Sequence, residues 1–97
     1  MSEVILSELA AADLIDIWVF IARDNVEAAD RLIDQFHEKC CFSAGSPEAG
    51  RPRPELDPSI RSFALGNYVI FYREGAKRVE IARMLHGRRD IPSVFGS

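Results

Sequence analysis

Residues 60–86 read IRSFALGNYVIFYREGAKRVEIARMLH, and this stretch decides the fold. Ile60 to Leu65 reads as a strand that ends at a Gly66-Asn67 turn, and Tyr68-Val69-Ile70-Phe71-Tyr72 follows as a strand apolar on both faces. Glu74-Gly75-Ala76 turns the chain again. Arg78 to His86 then alternates, which sets Val79, Ile81, Arg83 and Leu85 on one face and Arg78, Glu80, Ala82, Met84 and His86 on the other. The reading is a three-strand antiparallel meander.

Upstream of the meander, Gly45, Pro47, Gly50, Pro52, Pro54 and Pro58 crowd into residues 45–58, a density of breakers that predicts a loop. Before it lie two helical stripes. Ala10, Leu14, Ile17, Trp18 and Ile21 recur at three- and four-residue spacing after Ser7, a good N-cap, and Glu8, an acid in the first turn. Asn25 caps a second stripe formed by Ala29, Leu32, Ile33, Phe36 and Cys40. Val4, Ile5 and Leu6 form a short strand ahead of both. The expected architecture is α+β in the order β-α-α-β-β-β, with a helical hairpin packed on one face of a small, mainly antiparallel four-stranded sheet. At 97 residues the chain fits one domain spanning 1–97.

A hydrophobic share of 47% against 28% charged residues is too apolar for disorder. No apolar run approaches the roughly 20 residues of a membrane helix, and the N-terminus lacks a signal-peptide layout, so the cytoplasm is the expected location. The two cysteines, Cys40 and Cys41, are adjacent on a helix, where side chains diverge by about 100°, so neither a disulfide nor a zinc site is expected. Net charge is −3, but residues 1–50 hold ten acids against three bases and the remainder nine bases against five acids. An acidic first half thus faces a basic second half, which suits an anionic partner, either nucleic acid or an acidic peptide.

The sequence shows no metal-ligand spacing, nucleophile elbow or phosphate-binding glycine loop, and no cofactor is expected. What stands out is an arginine set on the sheet and its end: Arg61, Arg73, Arg83, Arg88 and Arg89. Arginine binds carboxylates or phosphates through a two-pronged fork, but with a pKa above about 12 it cannot transfer protons at neutral pH. Cutting RNA through its 2′-hydroxyl would also require a base.

The order of elements, together with Leu6-Ser7, Ala10, Asp13-Leu14, Ile17-Trp18, Ala29, Arg31, Pro47, Gly50-Arg51 and Arg53-Pro54-Glu55-Leu56, resembles the ParE toxins of the RelE/ParE superfamily. Ile60-Arg61-Ser62-Phe63, Tyr68-Val69-Ile70-Phe71-Tyr72-Arg73 and Ile81-Ala82-Arg83-Met84-Leu85-His86-Gly87-Arg88-Arg89-Asp90 carry the strongest likeness. The resemblance implies a toxin that poisons DNA gyrase by binding, without catalysis, and is neutralised by a ParD-like antitoxin. Neither direct nucleic-acid binding nor a membrane is required. Residues expected to meet antitoxin or target are Trp18, Arg61, Tyr72, Arg73, Arg83, His86, Arg88, Arg89 and Phe95. The alternatives are a RelE-like ribosome-dependent ribonuclease using Arg61, Arg83, His86 and Arg89, or a non-toxic binding module. Phe95 stands where the RelE branch would place a tyrosine, and a phenyl ring carries no ionisable group.

Overall fold

The computed structural model describes residues 3–87. Strand β1 (Glu3–Leu6) leads into helix α1 (Glu8–Ala22), helix α2 (Val26–Gly45) and then β2 (Arg51–Pro52), β3 (Ile60–Leu65), β4 (Tyr68–Gly75) and β5 (Arg78–His86). One mixed sheet results, in the order β1-β5-β4-β3-β2, parallel only where β1 meets β5. The α+β architecture is as the sequence reading expects. Both helices begin where expected: the Ser7 hydroxyl accepts from the Ala10 N–H and the Asn25 side chain from the Ala28 N–H. Each cap occupies one of the donors that a helix N-terminus leaves unpaired.

Ser7 also fastens the helical hairpin to the sheet. Its hydroxyl donates to the Ala82 carbonyl at 2.8 Å, and its backbone N–H donates to the Ile81 carbonyl at 3.0 Å. Between hairpin and sheet lies the main core, in which Ala10, Phe36, Cys40, Ile70, Tyr72, Val79, Ile81 and Met84 are buried. A smaller cluster of Ile60, Phe71, Ala82 and Leu85 occupies the other face, with Leu56 packed against it. The Arg53 guanidinium sits 5.5 Å from the centre of the Phe71 ring, a cation–π contact that seals part of this second cluster.

Three expectations need correction. The sheet has five strands rather than four, because the breaker-rich segment contributes β2, preceded by a 3-10 turn at Pro47–Ala49. Proline is tolerated in β2 because it lies at the sheet edge, where a missing N–H costs no ladder bond. The second hairpin turns at residues 76–77, with Glu74 and Gly75 still paired in β4 and Lys77 at a φ of 60°. Finally, β5 does not keep one alternation. Phe71 pairs with Arg83 but Tyr72 with Ile81, so Ala82 is an extra residue, a β-bulge. Beyond it the faces exchange: Met84 joins Val79 and Ile81 in the main core, while Leu85 turns to the opposite cluster.

Candidate functional site

The structure gives each described member of the arginine set a partner within the chain. Arg83 makes a two-pronged pair with Asp13 of α1, Nε to Oδ2 at 2.7 Å and Nη2 to Oδ1 at 2.8 Å. Asp13 Oδ2 also accepts the Met84 N–H at 3.1 Å. The side chains are only 16% and 12% exposed, and the Asp13 hydrogen bonds hold the Arg83 pKa above its already high ordinary value. Arg61 donates to the carbonyls of Glu48 and Gly50 at 3.1 and 2.9 Å. Arg73 lies nearer solvent, 3.5 Å from Glu80, 4.0 Å from Asp57 and 3.3 Å from the Ser59 hydroxyl. Hydrogen bonds from Ser59 also hold the Asp57 carboxyl below its usual range.

Tyr72 is buried, and its phenol holds the loop. Its hydroxyl donates to the Pro47 carbonyl and accepts the Gly50 N–H at 3.0 Å. Burial raises its pKa, with the Gly50 hydrogen bond opposing the shift. Tyr72 and Arg61 therefore pin the same segment, residues 47–50, to the sheet from adjacent paired positions on β4 and β3. Among the described residues, the other members of the expected site lie apart from this pair. His86 is exposed at the end of β5 with its ring edge-on to Tyr68, 5.5 Å between centroids. It lies level with Tyr68 and Leu65, whereas Arg61 lies level with Tyr72, four residues along the ladder, or about 13 Å. Trp18 is half-buried, and its indole N–H donates to Asp30 of α2 at 3.0 Å, linking the two helices. Arg88, Arg89 and Phe95 lie outside the described residues.

The feature that the sequence reading passed over is the outer side of α1. The inward stripe is as expected, with Ala10 fully buried and Leu14 and Ile17 packed on the core. The opposite side is apolar too: Leu9, Ile15, Val19 and Phe20 are 59%, 63%, 40% and 68% exposed. At 100° per residue these four, with Ala12, share one arc of the helix, interrupted by Glu8, Asp16 and Arg23. A helix apolar all round is ordinarily enclosed, yet this one is covered on a single side. The signal was present in the sequence as a second set of apolar positions at three- and four-residue spacing. A further exposed aromatic, Phe42 (62% exposed), edges an open groove of about 540 Å³ between α2 and the end of β3, lined also by Gln35, Lys39 and Leu65.

Among the described residues, no three His, Cys, Asp or Glu side chains gather closely enough to hold a metal ion, and no helix is long and apolar enough to cross a membrane. Comparison with known proteins agrees with the fold. A chain titled "Chromosomal ParDE TA system from P. aeruginosa" superposes with a TM-score of 0.73 at 22% identity, covering 89% of this chain and 96% of that one. Toxin ParE1 of Caulobacter vibrioides is 40% identical over 82 residues, 84% of each chain. Toxin ParE3 of the same organism is 29% identical over 101 aligned positions, 99% of this chain and 97% of that protein. Residues 4–91 match the family model for the ParE toxin of the type II toxin-antitoxin system parDE. With nearly the whole chain matched and the strand-helix-hairpin-meander order in place, this chain belongs to the ParE toxin family of type II toxin–antitoxin systems.

Proposed function

We propose that the chain is a toxin that acts by binding DNA gyrase, and that a ParD-like antitoxin silences it by laying an amphipathic helix along the outer side of α1. The single observation that carries the partnership is that exposed apolar side. Fully burying a large apolar side chain contributes about 1.5–3 kcal/mol, so covering Leu9, Ile15, Val19 and Phe20 together would supply several kcal/mol. Charge refines the partner. Arg83 of the meander already holds Asp13 and does not await an acidic helix, whereas Arg73 meets Glu80 only across an exposed pair and stays accessible. Glu8, Asp16 and Arg23 stand among the exposed apolar positions of α1, two acids to one base, which favours a partner helix with lysine or arginine beside its apolar stripe.

Action by binding is supported by how the two described arginines of the ribonuclease alternative are employed. Arg83 is locked to Asp13, and Arg61 holds loop carbonyls. Both serve the fold, and neither stands beside His86 as a general base would require.

Expression of the chain alone should arrest growth, and co-expression of the small open reading frame beside its gene should restore it. Purified protein should inhibit supercoiling by gyrase or trap its cleaved DNA complex while leaving ribosome-bound message intact. Codon-positioned cuts in message that disappear in Arg89→Ala would overturn the binding mechanism in favour of the ribonuclease. Undiminished growth at high soluble expression would sink the toxin reading altogether.

A further inference from the structure

One pair of side chains on α2 has no part in the core or in the exposed side of α1. His37 and Cys41 stand one helical turn apart, both exposed, with Cys41 Sγ 3.7 Å from His37 Nε2. The spacing matters because both groups are ligands for zinc-class divalent ions. Such an ion binds thiolate sulfur at about 2.3 Å and imidazole nitrogen at about 2.0–2.1 Å in tetrahedral geometry, which sets the two ligand atoms about 3.5–3.6 Å apart. The pair is already close to that span, so chelation requires little rearrangement of either side chain. Asp34, on the same side of α2 one turn before His37, adds negative potential. The neighbouring thiol cannot compete: Cys40 is 3% exposed, and burial pushes its pKa up to about 12.

Two donors fill only half of a tetrahedral shell, and no third joins them from the described residues of the same chain. We propose that His37 and Cys41 form a chelating half-site for a zinc-class divalent ion, and that two copies of the chain close one Cys2His2 site around it across their α2 helices. Each Cys41 thiol loses its proton to solvent on binding, so one ion bound by two chains releases two protons. Each His37 binds through the unprotonated Nε2 and keeps its proton on Nδ1.

The test is titration of the purified full-length chain with Co2+ alone, in a phosphine reductant that does not compete for metal. Expected are a thiolate-to-cobalt charge-transfer band in the near ultraviolet and the visible bands of tetrahedral cobalt. Both should saturate at one ion per two chains and disappear when Zn2+ displaces Co2+. Sedimentation should show Zn2+ converting monomer to dimer, reversed by EDTA. Cys41→Ser and His37→Ala should each abolish the signal while circular dichroism stays unchanged, and Cys40→Ser should leave it intact. Charge transfer that survives Cys41→Ser, or no charge transfer with cobalt in large excess, overturns the site. Saturation at one ion per chain without dimerisation overturns its closure by a second copy.

Discussion

Replacing Arg83 with methionine, which keeps most of the side-chain length but removes the fork, should destabilise the fold by about 3 kcal/mol. Asp13 would then stand 12% exposed with only the Met84 N–H left to it. Removing one partner of a buried ion pair costs roughly 3–5 kcal/mol, and the residual exposure of this pair puts the effect near the lower end. In a domain of this length each kcal/mol moves Tm by roughly 4–8 °C, so the shift should be about 12–24 °C. The assay is urea and thermal unfolding of Arg83→Met, Asp13→Asn and the double variant. The double variant should be more stable than the sum of the single losses implies, by about 1–2 kcal/mol, because no buried charge is left unpaired. If Arg83→Met folds with unchanged stability yet no longer arrests growth, the guanidinium serves the target and the structural assignment is refuted.

Tyr72→Phe should cost about 1–3 kcal/mol, because the Gly50 N–H and Pro47 carbonyl both lose their partner; increased proteolysis within residues 47–58 would report the freed loop. Gly50→Ala should be worse, since a Cβ there would lie 2.7 Å from two ring carbons of Tyr72 and closer still to its hydroxyl; unfolding at unchanged urea concentration would contradict this. Trp18→Phe, which removes the hydrogen bond to Asp30 together with part of a half-buried ring system, should cost about 1–2 kcal/mol by chemical denaturation. Phe20→Glu should leave stability within about 0.5 kcal/mol while weakening antitoxin rescue of growth at least tenfold in inducer titration; full rescue would remove α1 from the interface. In a thiol-reagent time course, Cys41 should react at once and Cys40 only on unfolding.

The sequence carried the meander almost entirely, since Ile60–Leu65 and Arg78–His86 are bounded as read and the Gly66-Asn67 turn joins the strands as expected. Both caps were legible for the same reason: Ser7 and Asn25 act within three residues of themselves. What escaped depends on partners distant in sequence. The Arg83–Asp13 pair joins residues 70 apart, so nothing local in the sequence reveals that this arginine fastens sheet to hairpin. Strand β2 is two residues long and half proline, below what any periodicity can register. On α1 the sequence announced apolar residues on two sides, but only the packed structure tells which side the sheet covers.

The extra residue at Ala82 reaches further than a local irregularity. Side chains in a strand alternate with a period of two, so one inserted residue acts on everything downstream like a shift of reading frame. Upstream of it β5 feeds one core; downstream the same strand feeds both, Met84 on one side and Leu85 on the other. The direction of Met84, Leu85 and His86 is therefore set by the backbone register at Ala82 rather than by the character of their own side chains. Deleting Ala82 would turn the end of β5 inside out while leaving every one of those side chains in place in the sequence, a rearrangement no single substitution could imitate.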